Sequence, residues 1–238
     1  MQALAFYIDA PLQSWGGSSK FQHRETNRFP TKSAIVGLIA AAMGIDKHSD
    51  NEVTELAAIV DLKLTVVRLE KPKIASSRFT DFHTVGGGYD KKKLWEKMSI
   101  PAKANGASPN TVLTYRSYLT DSKFIVLLEG GPETLAQIKN ALEDPVWGIW
   151  FGRKACLPAS PLSPRIEDSR EVAFEALLES LPGQSPESLK DFEYQEEIDA
   201  EAASDDAFYQ SDQPIAFGKH HGAVPAAYRA RGLRQHRP

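Results

Sequence analysis

The chain has 238 residues, 42% of them apolar and 25% charged, with a net charge of −3, the composition of an ordinary soluble globular protein. Its longest apolar stretch, Ala34–Met43, is about half what a bilayer span needs, so a membrane role is not expected. The single cysteine, Cys156, excludes an internal disulfide and fits a reducing cytosol, and the start MQALAFYIDA lacks the basic n-region of a signal peptide, so a cytoplasmic location is expected.

QALAFYID alternates as a first strand, halted by Pro11. A long basic join follows, carrying Lys20, His23, Arg24, Arg28 and Lys32 with hardly any acid. TKSAIVGLIAAAMG then reads as a helix capped by Thr31 or Ser33 and stopped by Gly44; Gly37 inside it is tolerable if another backbone comes close. DNEVTELAAIV is a second helix begun by Asp50 or Asn51, and DLKLTVVRLE a strand with Leu62, Leu64, Val66 and Arg68 on one face. Residues 80–110 show no sustained periodicity and are rich in Gly, Lys and Pro, yet hold Phe82, Tyr89 and Trp95. They read as a projecting arm returning into the strands of VLTYRSYLTDSKFIVLLE. GPETLAQIKNALEDP is a helix opened by Pro132, and WGIWFGRKACL is expected to hold the last strand. Residues 167–212 are acidic and expected to be helical, and after Asp212 the tail has no acid.

Strand, helix, strand, strand, helix, strand is the split βαβ order, so the expected fold is α+β, a ferredoxin-like (RRM-like) βαββαβ domain. The expected boundaries are 1–165 for that domain, with a thumb-like insertion at 80–112, and 166–238 for a C-terminal extension with an acidic segment and a basic tail. The separated charges suggest a polyanion-binding face and an acidic region kept away from it or turned to another protein.

For a polyanion, Arg24, Arg28 and Lys32 offer charge, Trp15 and Phe29 stacking faces, and the helix start at Thr31, Lys32 and Ser33 free N–H groups for a phosphate. A cation at Lys32 opposes the helix dipole unless an anion sits nearby. Trp15 serves equally to plug the core beneath the first strand, and Gln13 either meets a base edge or holds its own loop. In TYRSYL, Arg116 and Tyr118 share one strand face, suited to stacking bases or to a local cation–π or ion pair. Arg153 and Lys154 follow a glycine near the expected last strand, placed to touch phosphates or an acid on a neighbouring subunit. His23, His83, His220 and His221 raise acid–base cleavage of RNA, but no spacing compels a shared site. GKHHG lacks a third ligand for a metal, GGG at 86–88 lacks a nucleotide fingerprint's setting, and Cys156 has no adjacent base. No cofactor or metal is expected.

PLQSWG, NRFPTKSAIVGLIAAAMGI, DFHTV, TYRSYLTDSKFIVLLEG and WFGRKACLPASPL, in that order, resemble the fifth CRISPR-associated (Cas) protein family in its type I-E form, over roughly residues 2–165. The resemblance implies a ferredoxin-like domain with a thumb, matching 80–110. It also implies a non-catalytic subunit of the type I-E Cascade surveillance complex in antiviral defence, one that caps the 5′ handle of the crRNA. The implied partners are that handle, the large subunit and a backbone subunit, with target DNA only indirectly and no membrane. Under this reading the RNA-binding set is Gln13, Trp15, Arg24, Arg28, Thr31, Lys32, Ser33, His83, Arg116, Tyr118, Arg153 and Lys154. Relatives that cut their own repeat RNA keep a second reading open, a repeat-specific, metal-independent endoribonuclease. A third is a protein–protein scaffold.

Overall fold

β1 (Gln2–Asp9) alternates in sequence, yet six of its eight residues are buried, because both of its faces are covered. The computed structural model describes residues 1–16, 22–70, 78–85, 112–198, 207–218 and 228–238. β1 pairs antiparallel along its whole length with β7 (Lys123–Gly130), from Gln2↔Gly130 to Asp9↔Lys123, and on its other edge with the short β8 (Arg165–Glu167). β7 pairs on its far side with β4 (Lys63–Arg68), giving the antiparallel order β4–β7–β1–β8.

One face of this sheet, with Phe6, Ile8, Val66, Phe124 and Val126, packs against α1 (Lys32–Met43), α2 (Glu52–Val60) and α3 (Pro132–Glu143). The other face, with Ala3, Ala5, Val67, Ile125 and Leu127, packs against Phe174, Leu177 and Leu178 of α4 (Arg170–Ser180). Each of the Val, Leu, Ile and Phe side chains among these, fully buried, stabilises the fold by about 1.5–3 kcal/mol. α1 begins as expected, with Thr31 Oγ1 accepting from Ala34 N at 3.3 Å. It ends at Gly44, whose φ of 77° lets Gly44 N and Ile45 N donate to Ala41 O and Ala40 O. What comes close to Gly37 is a side chain and not the expected backbone: the ring of Phe217 lies 3.6 Å from where a Cβ would stand. Among the described residues no helix is long and apolar enough to cross a membrane.

The C-terminal residues lengthen the same sheet. β9 (Glu193–Ile198) adds to the free edge of β4, followed by β11 (Tyr228–His236) and then β10 (Ala207–Pro214). The expectation of a helical 167–212 is therefore corrected: among the described residues of that span only α4 and a short 3-10 turn at Leu189–Asp191 are helical, and β9 and the start of β10 are strands. The strand was hidden because two of the inward residues of EYQEEI are Glu193 and Glu197, 4% and 9% exposed, where a strand core ordinarily holds apolar side chains.

A second sheet forms around β6 (Val112–Thr120), which pairs antiparallel with β5 (Arg78–Val85) along one edge. Its other edge meets β2 (Leu12–Gln13), antiparallel, and β3 (His23–Arg24), parallel. The segment expected as an arm thus begins with a regular strand, and its residues 86–111 lie outside the described ones.

The last strand expected in 147–157 is also corrected: that segment is a loop, and β8 takes the sheet edge instead. Phe151 and Cys156 both turn fully inward, and the loop closes on itself through Phe151 N to Cys156 O and Cys156 N to Arg153 O, each 2.8 Å. Gly152 has φ 91°, and a Cβ there would stand 1.7 Å from Ser14 O. Gly152→Ala must therefore shift this loop away from Ser14. Thermal unfolding is expected to show a loss of about 2 kcal/mol or more, a fall of roughly 4–8 °C, whereas Gly131→Ala, which meets open space, is expected to change stability by less than about 1 kcal/mol.

Candidate nucleic-acid interface

Lys32 meets an anion, as a cation in a first helical turn requires, but the anion belongs to this chain. Its Nζ donates to both carboxylate oxygens of Glu197, at 2.7 and 2.9 Å, and to Leu62 O at 2.9 Å. Its backbone N–H donates to Asp212 at 2.8 Å, so a carboxylate occupies the helix N-terminus. Arg231 grips Asp212 through Nε and Nη2, at 2.6 and 2.8 Å, and approaches Glu197 at 3.8 Å. All four side chains are nearly or fully withdrawn from solvent. Burial pushes the Lys32 ammonium below the usual lysine range, while Glu197 pulls it back up. Arg28 pairs with Glu193 at 2.9 Å, and Glu193 also meets Arg68 at 3.7 Å.

Gln13 and Trp15 are fully buried. The Gln13 amide donates to Ser122 O and accepts from Trp15 Nε1, and the indole packs 5.9 Å from Phe151. Of the two readings of Trp15 the structure has core packing, and of the two of Gln13, loop holding. Phe29 is buried too, against Phe124. Thr31 is buried as the cap, with its hydroxyl 3.2 Å from that of Ser33.

A different set of cations gathers on β3, β6 and the 147–157 loop. Arg24 and Arg116 are direct partners in the parallel β3–β6 pair. Like charges side by side destabilise a sheet unless an anion lies between or above them. Arg116 Nε is steered by Thr114 Oγ1 at 3.1 Å. Arg153 donates to Ser117 O and Arg24 O, both at 3.1 Å, and lies 4.5 Å above the Tyr118 ring. Lys154 Nζ stands 5.8 Å from the Trp150 ring. Tyr118 itself is buried, so it serves as the seat of Arg153. Across β6, Asp81 faces Arg116 and lies 3.5 Å from His83 Nδ1.

The opposite face of β6 holds a group missed as a unit in the sequence. His23 stacks on Tyr115 with ring centroids 4.9 Å apart and planes 5° from parallel, and Phe82 lies 5.3 Å away on the other side. The signal was Tyr115 alternating with Arg116, but pairing it with His23 and Phe82 needed the register. Beside Arg24 and Arg153 opens a cleft of about 1130 Å³, floored by Ser33, Ala34 and Gly37 of α1 and walled by Trp150 and Tyr209.

Among the described residues no three His, Cys, Asp or Glu side chains gather as a metal site. Residues 219–227, with the paired histidines of GKHHG, lie outside the described residues, as do Lys91–Lys93. Burial pushes the Cys156 thiol up, away from nucleophilic use.

A family described as CRISPR-associated protein (Cas_Cas5) matches residues 3–224. The Cascade subunit CasD of the CRISPR system of Escherichia coli (strain K12) is 26% identical over 164 residues, 67% of this chain and 68% of that protein. A chain of a solved CRISPR RNA-guided surveillance complex superposes with a TM-score of 0.71 at 28% identity, over 98% of this chain and 88% of that one. A crystal structure of a Cas protein superposes with a TM-score of 0.60, also at 28% identity, over 98% and 93%.

If Lys32 is the main partner of Glu197, Lys32→Met leaves a buried carboxylate with only the Leu64 N–H and Arg231, 3.8 Å away, to compensate it. Urea unfolding is expected to show a loss of about 3–5 kcal/mol, largely recovered when Glu197→Gln is added. A stable Lys32→Met would contradict this reading.

Proposed function

The chain belongs to the CRISPR-associated protein (Cas_Cas5) family, and from that premise we propose that it is a non-catalytic subunit of a type I-E Cascade surveillance complex. In this role it binds and caps the 5′ handle of the crRNA and contacts the large and backbone subunits. The likeness to CasD and to a chain of an RNA-guided surveillance complex supports the subunit role. The observation that carries RNA binding is the convergence of Arg24, Arg116 and Arg153, two of them strand neighbours and the third pinned by backbone oxygens. Guanidinium groups held side by side are repulsive alone and are satisfied by phosphates, which they grip in bidentate fashion. Arg153 is pre-organised, so little side-chain entropy is lost on contact.

The order β4–β7–β1–β8 with α1 and α3 on one face supports reading the core as a ferredoxin-like βαββαβ unit. The β5–β6 ribbon is then the root of the thumb, with His83 at its cationic face. Ser33, Lys154 and the exposed side of Arg28 complete the RNA-facing set. Thr31, Lys32, Gln13, Trp15 and Tyr118 act by holding it in place.

The register weighs against His23 and His83 as a catalytic pair. His23 shares the face of Tyr115, while His83, opposite Thr114, shares the other. One scissile phosphate cannot meet both as acid and base. Labelled repeat RNA incubated with the purified chain without metal is expected to stay intact on a gel; cleavage abolished by His83→Ala would overturn the non-catalytic reading. In filter binding of the handle RNA, Arg24→Ala with Arg116→Ala is expected to weaken affinity and flatten the slope of log K against log salt by about 1.4, roughly 0.7 per lost phosphate contact on a single strand. An unchanged slope and affinity would count against the ridge.

A further inference from the structure

β9, β10 and β11 follow one another in sequence and lie together at one end of the seven-stranded sheet. They add very little to the two apolar cores. Among the described residues beyond Glu193, the buried apolar side chains are Ala216 and Leu233, and neither belongs to either core. Tyr194 and Phe217, both partly exposed, are the residues of this region that pack against those cores. The chain leaves the interior just before β9, at Phe192, whose buried ring meets that of Phe174 edge-on at 5.3 Å.

What holds these strands is polar. Backbone pairing with β4 covers four residues, Thr65↔Glu196 to Arg68↔Glu193, against eight between β1 and β7. Side chains add the rest: Glu197 with Lys32 and the Leu64 N–H, Asp212 with the Lys32 N–H, and Glu193 with Arg28 and Arg68. Glu196 also pairs with Arg170 at 2.8 Å, and the buried Glu52 accepts from Phe217 N and Gly218 N at 2.6 and 3.2 Å. A matched buried charge fixes register, but its attraction is offset by the hydration it recovers on exposure. Burial of apolar surface has no such offset, at about 25 cal/mol per Å². Contacts of this kind resist the loss of one partner far more than the release of all of them together.

We propose that β9, β10 and β11 form a lobe, hinged between Phe192 and Glu193, that opens and unfolds as one unit while the two apolar cores stay folded. A three-stranded piece with so few buried apolar side chains does not keep its own pairing once detached, so all three strands exchange their amides at each opening. Opening bares the edge of β4 and the N-terminus of α1. It also takes Tyr209 and Tyr228 away from the cleft over α1, so that cleft has both its walls only while the lobe is closed. None of this depends on what the cleft holds.

Amide hydrogen exchange of the full chain, read by NMR across low urea concentrations, tests the lobe. Amides of β9, β10 and β11 are expected to exchange about 100-fold or more faster than those of β1 and β7, and to share one urea dependence. Two amides on core elements are expected to follow the lobe, the Lys32 and Leu64 N–H groups, because their acceptors are Asp212 and Glu197. A second measurement uses Val66→Cys with Gln195→Cys, facing partners in the β4–β9 pair at a spacing a disulfide bridges. Oxidation is expected to slow exchange in all three strands by about 10-fold or more relative to the reduced form of the same variant, narrowing the gap to β1 and β7. In the wild type, lobe strands that exchange at the rate of β1 and β7 overturn the proposal, since the molecule then opens only as a whole. Separate urea dependences for the three strands, or Lys32 and Leu64 held at the core rate, overturn it in favour of fraying from the sheet edge. An oxidised pair, confirmed by mass, that leaves lobe exchange unchanged overturns it as well.

Discussion

The interior charge cluster of Lys32, Glu197, Arg231 and Asp212 is the constraint on which the molecule's arrangement depends. Four charges withdrawn from water cost several kcal/mol each unless every one is matched, and here they match only if α1, β4, β9, β10 and β11 meet at one point. Glu197 accepts from Lys32 and from Leu64 N, so it ties the start of α1 to the start of β4. Asp212 ties the N-terminus of α1 to β11 through Arg231. Glu193 repeats the device four residues earlier on the same face of β9, joining Arg28 and Arg68 to Gln235. The C-terminal strands are thus fastened to the edge of β4 by charge where a hydrophobic sheet would use aliphatic packing alone.

That fastening explains the lopsided charge of the chain. The acids after residue 167 are neither merely solvated nor wholly reserved for another protein: Glu193 and Glu197 neutralise bases of the N-terminal half, and Asp212 accepts from the backbone N–H that opens α1. Cations in the basic join therefore divide into two classes. Lys32 is spent on architecture, Arg28 partly so, and Arg24 stands where strand pairing sets it beside Arg116. Charge counting cannot make this division, because it depends on which carboxylate is folded back across 165 residues to reach Lys32 or Arg28.

The same cause sets how far the fold could be read from the sequence. Elements with ordinary hydrophobic periodicity and caps were legible: β1, α1 with Thr31 and Gly44, α3 with Pro132, and the β6–β7 run. β9 was not, because its inward residues are charged, and the 147–157 loop was misread because Phe151, Cys156 and Trp150 mimic a strand while Gly152 bends the chain against Ser14. Among candidate site residues, Arg116 and Tyr118 sharing a face followed from the period of two. The burial of Gln13, Trp15 and Lys32 did not, since a polar or aromatic residue in a loop carries no local mark of what will cover it.

β6 shows how one strand can serve two unlike surfaces. Its even-numbered residues Arg116 and Tyr118 look towards the pinned Arg153, and its odd-numbered Tyr115 looks towards His23 and Phe82. A shift of register by one residue would exchange the two sets. The register is held by β2, where Leu12 and Gln13 pair with Thr120 and Leu119, and Gln13 is anchored in turn by Ser122 and Trp15. Gln13 and Trp15 thus act through position: by fixing β6 they decide which side carries charge and which carries rings.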